Sequence, residues 1–308
     1  MVSLKRVDSV LTARVCQADG MRRTAAAICG CVLLVSCSSE VTSTAIPVPP
    51  SATVLPTSAP PPSQAKPPPP TTSSTPAVTW QVGAHPLPLR KDGFGEVLPT
   101  PPELVNRALP THDFLPAPAG TAYSSTISAV PADVLARSTW QPGCPVKSSD
   151  LRYLTMSFWG FDGRAHTGEM LVNQSGATGI TKVFGQLFAA RFPLEEMRVT
   201  SPAELTAPPT GDGNTTSAFV CRPVRGETNW SAHAYGLAVD VDPFCNPYTK
   251  GDLVLPELAS AYVDRSRVRP GMVLSGDATV RAFAAIGWSW GGDWTTPKDR
   301  MHFTATGG

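Results

Sequence analysis

Ser231-Ala-His233-Ala-Tyr235-Gly236-Leu-Ala238-Val-Asp240-Val-Asp242 reads as a tight turn feeding a strand. Leu237, Val239 and Val241 alternate with Ala238, Asp240 and Asp242, the period of two expected of a half-buried strand. Asp240 therefore points away from the apolar face. Gly236 and Ala238 are small, so the chain can turn sharply after His233 and bring its imidazole beside the Asp240 carboxylate. Almost at the C-terminus, Asp299-Arg-Met-His302-Phe303 repeats the alternation. Met301 and Phe303 flank His302, which places it on the opposite strand face from two core side chains, one tight turn after Asp299. The two segments together offer two imidazoles, a ligating carboxylate and a spare carboxylate, the set that a hydrolytic zinc site requires.

Working outward, Leu151–Phe158 and Gly168–Asn173 read as strands joined around Asp162-Gly163. Ile180, Val183, Phe184, Leu187 and Phe188 have the spacing of an amphipathic helix, and Val130–Arg137 allows one or two helical turns. Met197–Thr200, Phe219–Arg222 and Val239–Asp242 are short strand candidates. A second helix runs from about Ala278 to Ile286, ended by Gly287, and final strands carry Trp288–Trp290 and Met301–Thr304. Helices and strands that mix without regular alternation predict an α+β fold. It would have a small, largely antiparallel sheet, flanking helices and the zinc site in a cleft.

The pattern SxHxxGxAxD at 231–240, the run Asp242-Pro-Phe-Cys-Asn-Pro-Tyr248, Trp290-Gly-Gly-Asp-Trp294 and DxxHF at 299–303 resemble the D-alanyl-D-alanine carboxypeptidase family of zinc peptidases. That family includes VanY-type carboxypeptidases and L-alanyl-D-glutamate endopeptidases acting on bacterial peptidoglycan. The likeness extends upstream through Ser217–Arg222 and Phe161–Gly163, covering roughly 144–308. The resemblance implies one Zn2+ per chain, with His233, Asp240 and His302 as its ligands. It implies Asp299 as the catalytic base and substrate contacts from Arg222 and Ser231. Chemistry agrees with these roles. Three protein ligands leave a zinc position open for water, and a nearby carboxylate can take the water's proton and pass it to the leaving amine. Arg222 adds a positive charge either where an oxyanion develops or opposite a substrate carboxylate. The implied partners are peptidoglycan stem peptides, cut either at a terminal D-alanine or between L-alanine and D-glutamate. A wall-binding lipoprotein that keeps the fold without catalysis is the alternative, although a binding module has no need of the base.

Blander readings apply to the remaining candidates. His85, His112 and His166 read as core or surface residues. Asp293 reads as a turn residue or one that orients a ligand, and Asp242, before Pro243, as a strand-end turn residue. Arg222 could equally sit in a surface ion pair, and Ser231 could bond its own backbone. Trp288 and Trp290 read as core, whereas Trp294 and Tyr235, each inside a motif loop, are candidates for cleft walls.

The N-terminal region speaks to location. Met21-Arg-Arg is a positive leader, Ala25–Val35 is apolar but too short to span a bilayer, and Leu34-Val-Ser-Cys37 has the form of a bacterial lipobox. The expectation is translation from Met21, with 1–20 outside the true chain, a signal peptide over 21–36, and acylation of Cys37. The protein would then be exported and membrane-anchored through that lipid, facing the cell wall. Residues 37–92 comprise this cysteine and a Pro/Ser/Thr-rich stalk, which cannot bury enough apolar surface to offset its ordering entropy. Residues 93–143 read as an extended arm packed on the domain, and 144–308 as the peptidase domain itself. A net charge of +1 argues against nucleic acid as a partner, and a monomer is expected. Among the exported cysteines Cys144, Cys221 and Cys245, one bridge is possible: Cys221 with Cys245, or Cys144 with Cys221.

Overall fold

A computed structural model describes residues 80–307. The proposed start at Met21, the signal peptide, Cys37 and most of the stalk lie outside the described residues. The fold is α+β. Its backbone is a long antiparallel hairpin of β2 (Leu151–Trp159) and β3 (Ala165–Asn173), in register from Leu151 opposite Asn173 to Trp159 opposite Ala165. Gly163 turns it at φ +74°, and Asp162 accepts the Arg164 N–H at 2.9 Å. β1 (Ser125–Ala129) adds antiparallel to the β2 edge.

The apolar face of the hairpin packs beneath α3 (Ala177–Ala189), whose Ile180, Val183, Phe184 and Leu187 are buried at the spacing read from the sequence. α4 (Ala278–Ala284) packs on α3, with Asp277 capping it by accepting the Val280 N–H at 2.8 Å. Behind them lies a sheet in which β11 (His302–Thr304) sits between β6 (Ala238–Asp240) and β9 (Ser289–Trp290), both antiparallel to it. Val239 and Phe303 drop from this sheet into the core, where Phe303 stacks on Phe283 at 3.9 Å and Trp288 and Trp290 are buried. A third sheet orders β10 (Lys298–Asp299), β7 (Tyr248–Lys250) and β8 (Leu253–Leu255), all antiparallel. β4 (Glu196–Met197) and β5 (Thr215–Thr216) form the one parallel pair among the described residues.

Two expectations need correction. Phe219–Arg222 is not a strand: Phe219 N–H donates to Leu171 O and Val220 N–H to His233 O, so the segment is divided between two neighbours and has no continuous partner. The stalk also ends earlier than residue 92. Trp80 Nε1 donates to Asp212 at 2.9 Å, Leu87 N–H to Pro209 O at 2.8 Å, and Arg90 pairs with Asp252 at 3.2 Å. Composition conceals this because each anchor is a lone residue whose partner is far along the chain. Within the arm, α1 (Pro102–Val105) buries Leu104, while α2 (Ala132–Arg137) begins after Pro131. Of the two open pairings, Cys144–Cys221 is the disulfide, and Cys245 is free and buried.

Candidate metal centre

His233 is carried by a single 3-10 turn, Ala232–Tyr235. Ser231 caps that turn, its Oγ accepting the His233 N–H at 3.3 Å. Gly236 ends it at φ +68°, and a Cβ there would lie 2.6 Å from the Asn173 amide nitrogen, so only glycine fits between turn and hairpin. The chain then enters β6. Asp240 stands opposite His302 in the antiparallel register, which puts both side chains on the face away from Val239 and Phe303.

Ligand-type atoms of His233, Asp240 and His302 all lie within 4.8 Å of one another. His233 Nε2 is 3.1 Å from His302 Nδ1 and 3.2 Å from Asp240 Oδ2, and His302 Nδ1 is 3.0 Å from Asp240 Oδ1. His233 Nδ1 is 2.6 Å from Ala218 O, so it is the donor there and Nε2 presents its lone pair to the other two groups. Burial works against ionising Asp240, but the two histidines outweigh it and hold the carboxyl far below the usual range. Two imidazole nitrogens and a carboxylate converging from buried positions fit a small divalent cation, and the mixed N/O donor set suits zinc.

Asp299 borders this cluster from β10, paired in register with Tyr248. Its Oδ1 is buried and has no hydrogen-bond partner among the described residues. Burial, and then the Asp240 charge, push its pKa up to about 7 against the opposing pull of His302, Arg222 and Arg300. A carboxyl poised in that range with an unused oxygen is suited to exchanging protons at neutral pH.

Residues 225–305 match the family model described as D-alanyl-D-alanine carboxypeptidase. Over this segment the chain is similar to that family. No curated protein and no solved structure matched the chain. The matched segment contains His233, Asp240, Asp299 and His302, whereas Arg222, the disulfide and the arm precede it.

The other predicted site residues are placed unequally around this candidate centre. Arg222 is half-buried and donates to Pro223 O at 3.2 Å; burial lowers its pKa first, while Asp240 and Asp299 lie close enough to raise it. Ser231 is committed to its cap, the local bonding that its sequence position also allowed. The Trp294 ring is 5.6 Å from that of His302. Tyr235 is 37% exposed on the His233 turn. Asp293 is exposed.

Asp242 does stand at the turn that follows β6, at φ +40°, its carbonyl accepting the Asn246 N–H at 3.0 Å, but its side chain is fully buried and accepts the Glu195 N–H at 3.2 Å. His166 is a buried residue held between Asp113 at 2.8 Å and Asp162 at 3.1 Å. Sequence reasoning missed the Ala218 carbonyl, a backbone group that leaves no residue-type signal. It also assigned no role to Tyr248, which ends the quoted Asp-Pro-Phe-Cys-Asn-Pro-Tyr run opposite Asp299.

Proposed function

We propose that this protein is a zinc-dependent peptidase that hydrolyses peptidoglycan stem peptides. One observation carries the reading: the half-buried Asp299 carboxyl, its enclosed Oδ1 without a partner among the described residues, stands beside the convergent His233, Asp240 and His302 side chains. A zinc ion held by those three side chains supplies Lewis acidity, polarising a carbonyl and acidifying water. Asp299 takes a proton from the attacking water through its free Oδ1 and delivers it to the amine nitrogen as the C–N bond breaks. The products are a carboxylate and an amine, so the proton balance closes within one residue. Arg222 faces a substrate carboxylate with its fork of N–H donors, and Trp294 narrows the approach to His302. His233 keeps its ring orientation through Ala218 O, while the Ser231 cap holds the turn that carries it.

The reading extends to location. Export from a start at Met21, acylation of Cys37 and a Pro-rich stalk of ~3.1 Å per residue would place the enzyme outside the membrane with reach into the wall. Intact-mass analysis of the N-terminal peptide tests this, since a Cys37 without acyl chains sinks the anchor.

The activity is tested by mass spectrometry of defined muropeptides incubated with residues 38–308, with zinc and then with a chelator. Zinc-dependent loss of a terminal alanine makes the protein a carboxypeptidase, and an internal cut makes it an endopeptidase. No product from zinc-loaded protein transfers the reading to a wall-binding module.

A further inference from the structure

Arg222 and Arg225 lie on the segment leading into the His233 turn, and both line an open groove of ≈ 350 Å³ shared with Glu204, Leu205, Val224 and Glu227. Among the described residues, neither guanidinium forms an ion pair, and Arg222 donates only to the neighbouring Pro223 carbonyl. Glu204 cannot serve them. Arg198 Nη1 holds its two oxygens at 2.8 and 2.9 Å, and the Ser201 N–H donates to it as well. Burial weakens the hold of Arg222 on its proton and the like charge of Arg225 adds to that effect, while the charges of Asp240 and Asp299 offset it only in part.

Two unpaired guanidinium groups that repel each other, one of them partly desolvated, are a costly arrangement for a free protein. Local costs of this kind concentrate where a ligand of opposite charge relieves them. Arg225 is moreover restrained. Its Cζ lies 4.9 Å from the centre of the Phe94 ring. Phe94 is itself held in a tight hairpin by its carbonyl, which accepts the Arg90 N–H at 2.7 Å, and Arg90 is paired with Asp252. A planar cation laid over a ring keeps its donor edge free for a carboxylate.

We infer that Arg225, backed by Phe94, is a specificity-determining residue that together with Arg222 forms an anion subsite for a second carboxylate on the substrate. That the ligand is a peptide rests on the function proposed above, whereas the paired-arginine subsite rests on the groove alone.

The test is calorimetric, on zinc-loaded protein carrying Asp299→Asn to hold turnover back. Two synthetic peptides are compared that differ only in whether the second carboxyl is free or amidated. The expected result is about tenfold or more tighter binding of the doubly anionic peptide. Arg225→Gln should erase that difference while leaving the amidated peptide's affinity unchanged, and Phe94→Ala should reduce it. Equal affinities for the two peptides, no binding of the doubly anionic one, or an equal loss for both on Arg225→Gln overturns the inference. Discrimination in binding, with neither peptide cut by the zinc-loaded wild-type protein, keeps the subsite and removes the peptidase. Cutting without discrimination does the reverse.

Discussion

Two buried carboxyl oxygens near the candidate metal centre have no hydrogen-bond partner among the described residues, Asp242 Oδ2 and Asp299 Oδ1, and of the two carboxyls it is Asp299 that feels the charges of Asp240 and His302. Asp240 is consumed by two imidazoles, Asp242 is sealed beneath β6, and Asp293 is in solvent. Replacing Asp299 by Asn preserves shape and removes the basic oxygen. Zinc should therefore stay bound at one ion per chain while kcat falls by about 10²- to 10⁴-fold. Metal analysis alongside steady-state rates checks both halves, and an undiminished kcat at full zinc content would take Asp299 out of the mechanism. Gly236 gives a second single-residue prediction. Ala there brings a Cβ against the Asn173 amide nitrogen and must hold a left-handed φ, a backbone cost of about 1–3 kcal/mol. The turn carrying His233 relaxes that strain by moving, so zinc affinity should fall more than global stability does, as read by competition with a chelating dye.

At the scale of elements, α2 is tied to the hairpin through one carboxylate. Glu169 on β3 accepts from Arg137 at the end of α2 through both oxygens at 2.5 Å, and from Tyr153 on β2 at 2.6 Å. Burial alone would raise the Glu169 pKa, yet Arg137 and then Tyr153 outweigh it, and the folded value lies below the ordinary 4.5. A carboxyl whose pKa is depressed by folding stabilises the protein above its unfolded pKa and loses that contribution as pH falls through the folded one. Glu169→Gln should therefore cost about 1.5–3 kcal/mol at pH 7. That gap to wild type should close as the pH drops below the ordinary value of 4.5. Urea midpoints of the two proteins at pH 7, 5 and 3.5 measure it, and a gap independent of pH means the link is not ionic. Elements like this hairpin were legible because their pattern is local: alternation marks β2 and β3, and the i, i+3, i+4 spacing marks α3. β1 left no trace, since all five of its residues are exposed and none shows a buried side. Phe219–Arg222 looked like a strand from its apolar residues, but a strand also needs a continuous partner. The choice of Cys144 over Cys245 for Cys221 depends on a contact across 77 residues that spacing cannot rank.

For the whole molecule the same limit explains why the arm's importance was hidden. The family segment starts at residue 225, yet Arg107 in the arm is 1% exposed and bonds Glu195 through Nε at 2.5 Å and Nη2 at 2.6 Å, across 88 residues of sequence. Asn214 donates to the same carboxylate at 3.0 Å, and the Glu195 N–H donates to Asp242, two positions beyond the proposed ligand Asp240. The arm thus supplies the cation that lets two acidic residues be buried behind the strand that carries Asp240. Arg107→Met should leave Glu195 uncompensated and cost about 3–5 kcal/mol, a large share of a typical domain's stability. The double variant Arg107→Met with Glu195→Met removes both charges and should recover most of that loss, because a buried ion pair is worth little over apolar residues of similar size. Denaturant midpoints of the single and double variants decide the matter. If the single change costs less than about 1 kcal/mol, water reaches the cluster and the arm is an accessory. If the double variant stays as unstable as the single, the arm acts through the shape of its packing around Leu104 and Tyr262 rather than through its charge.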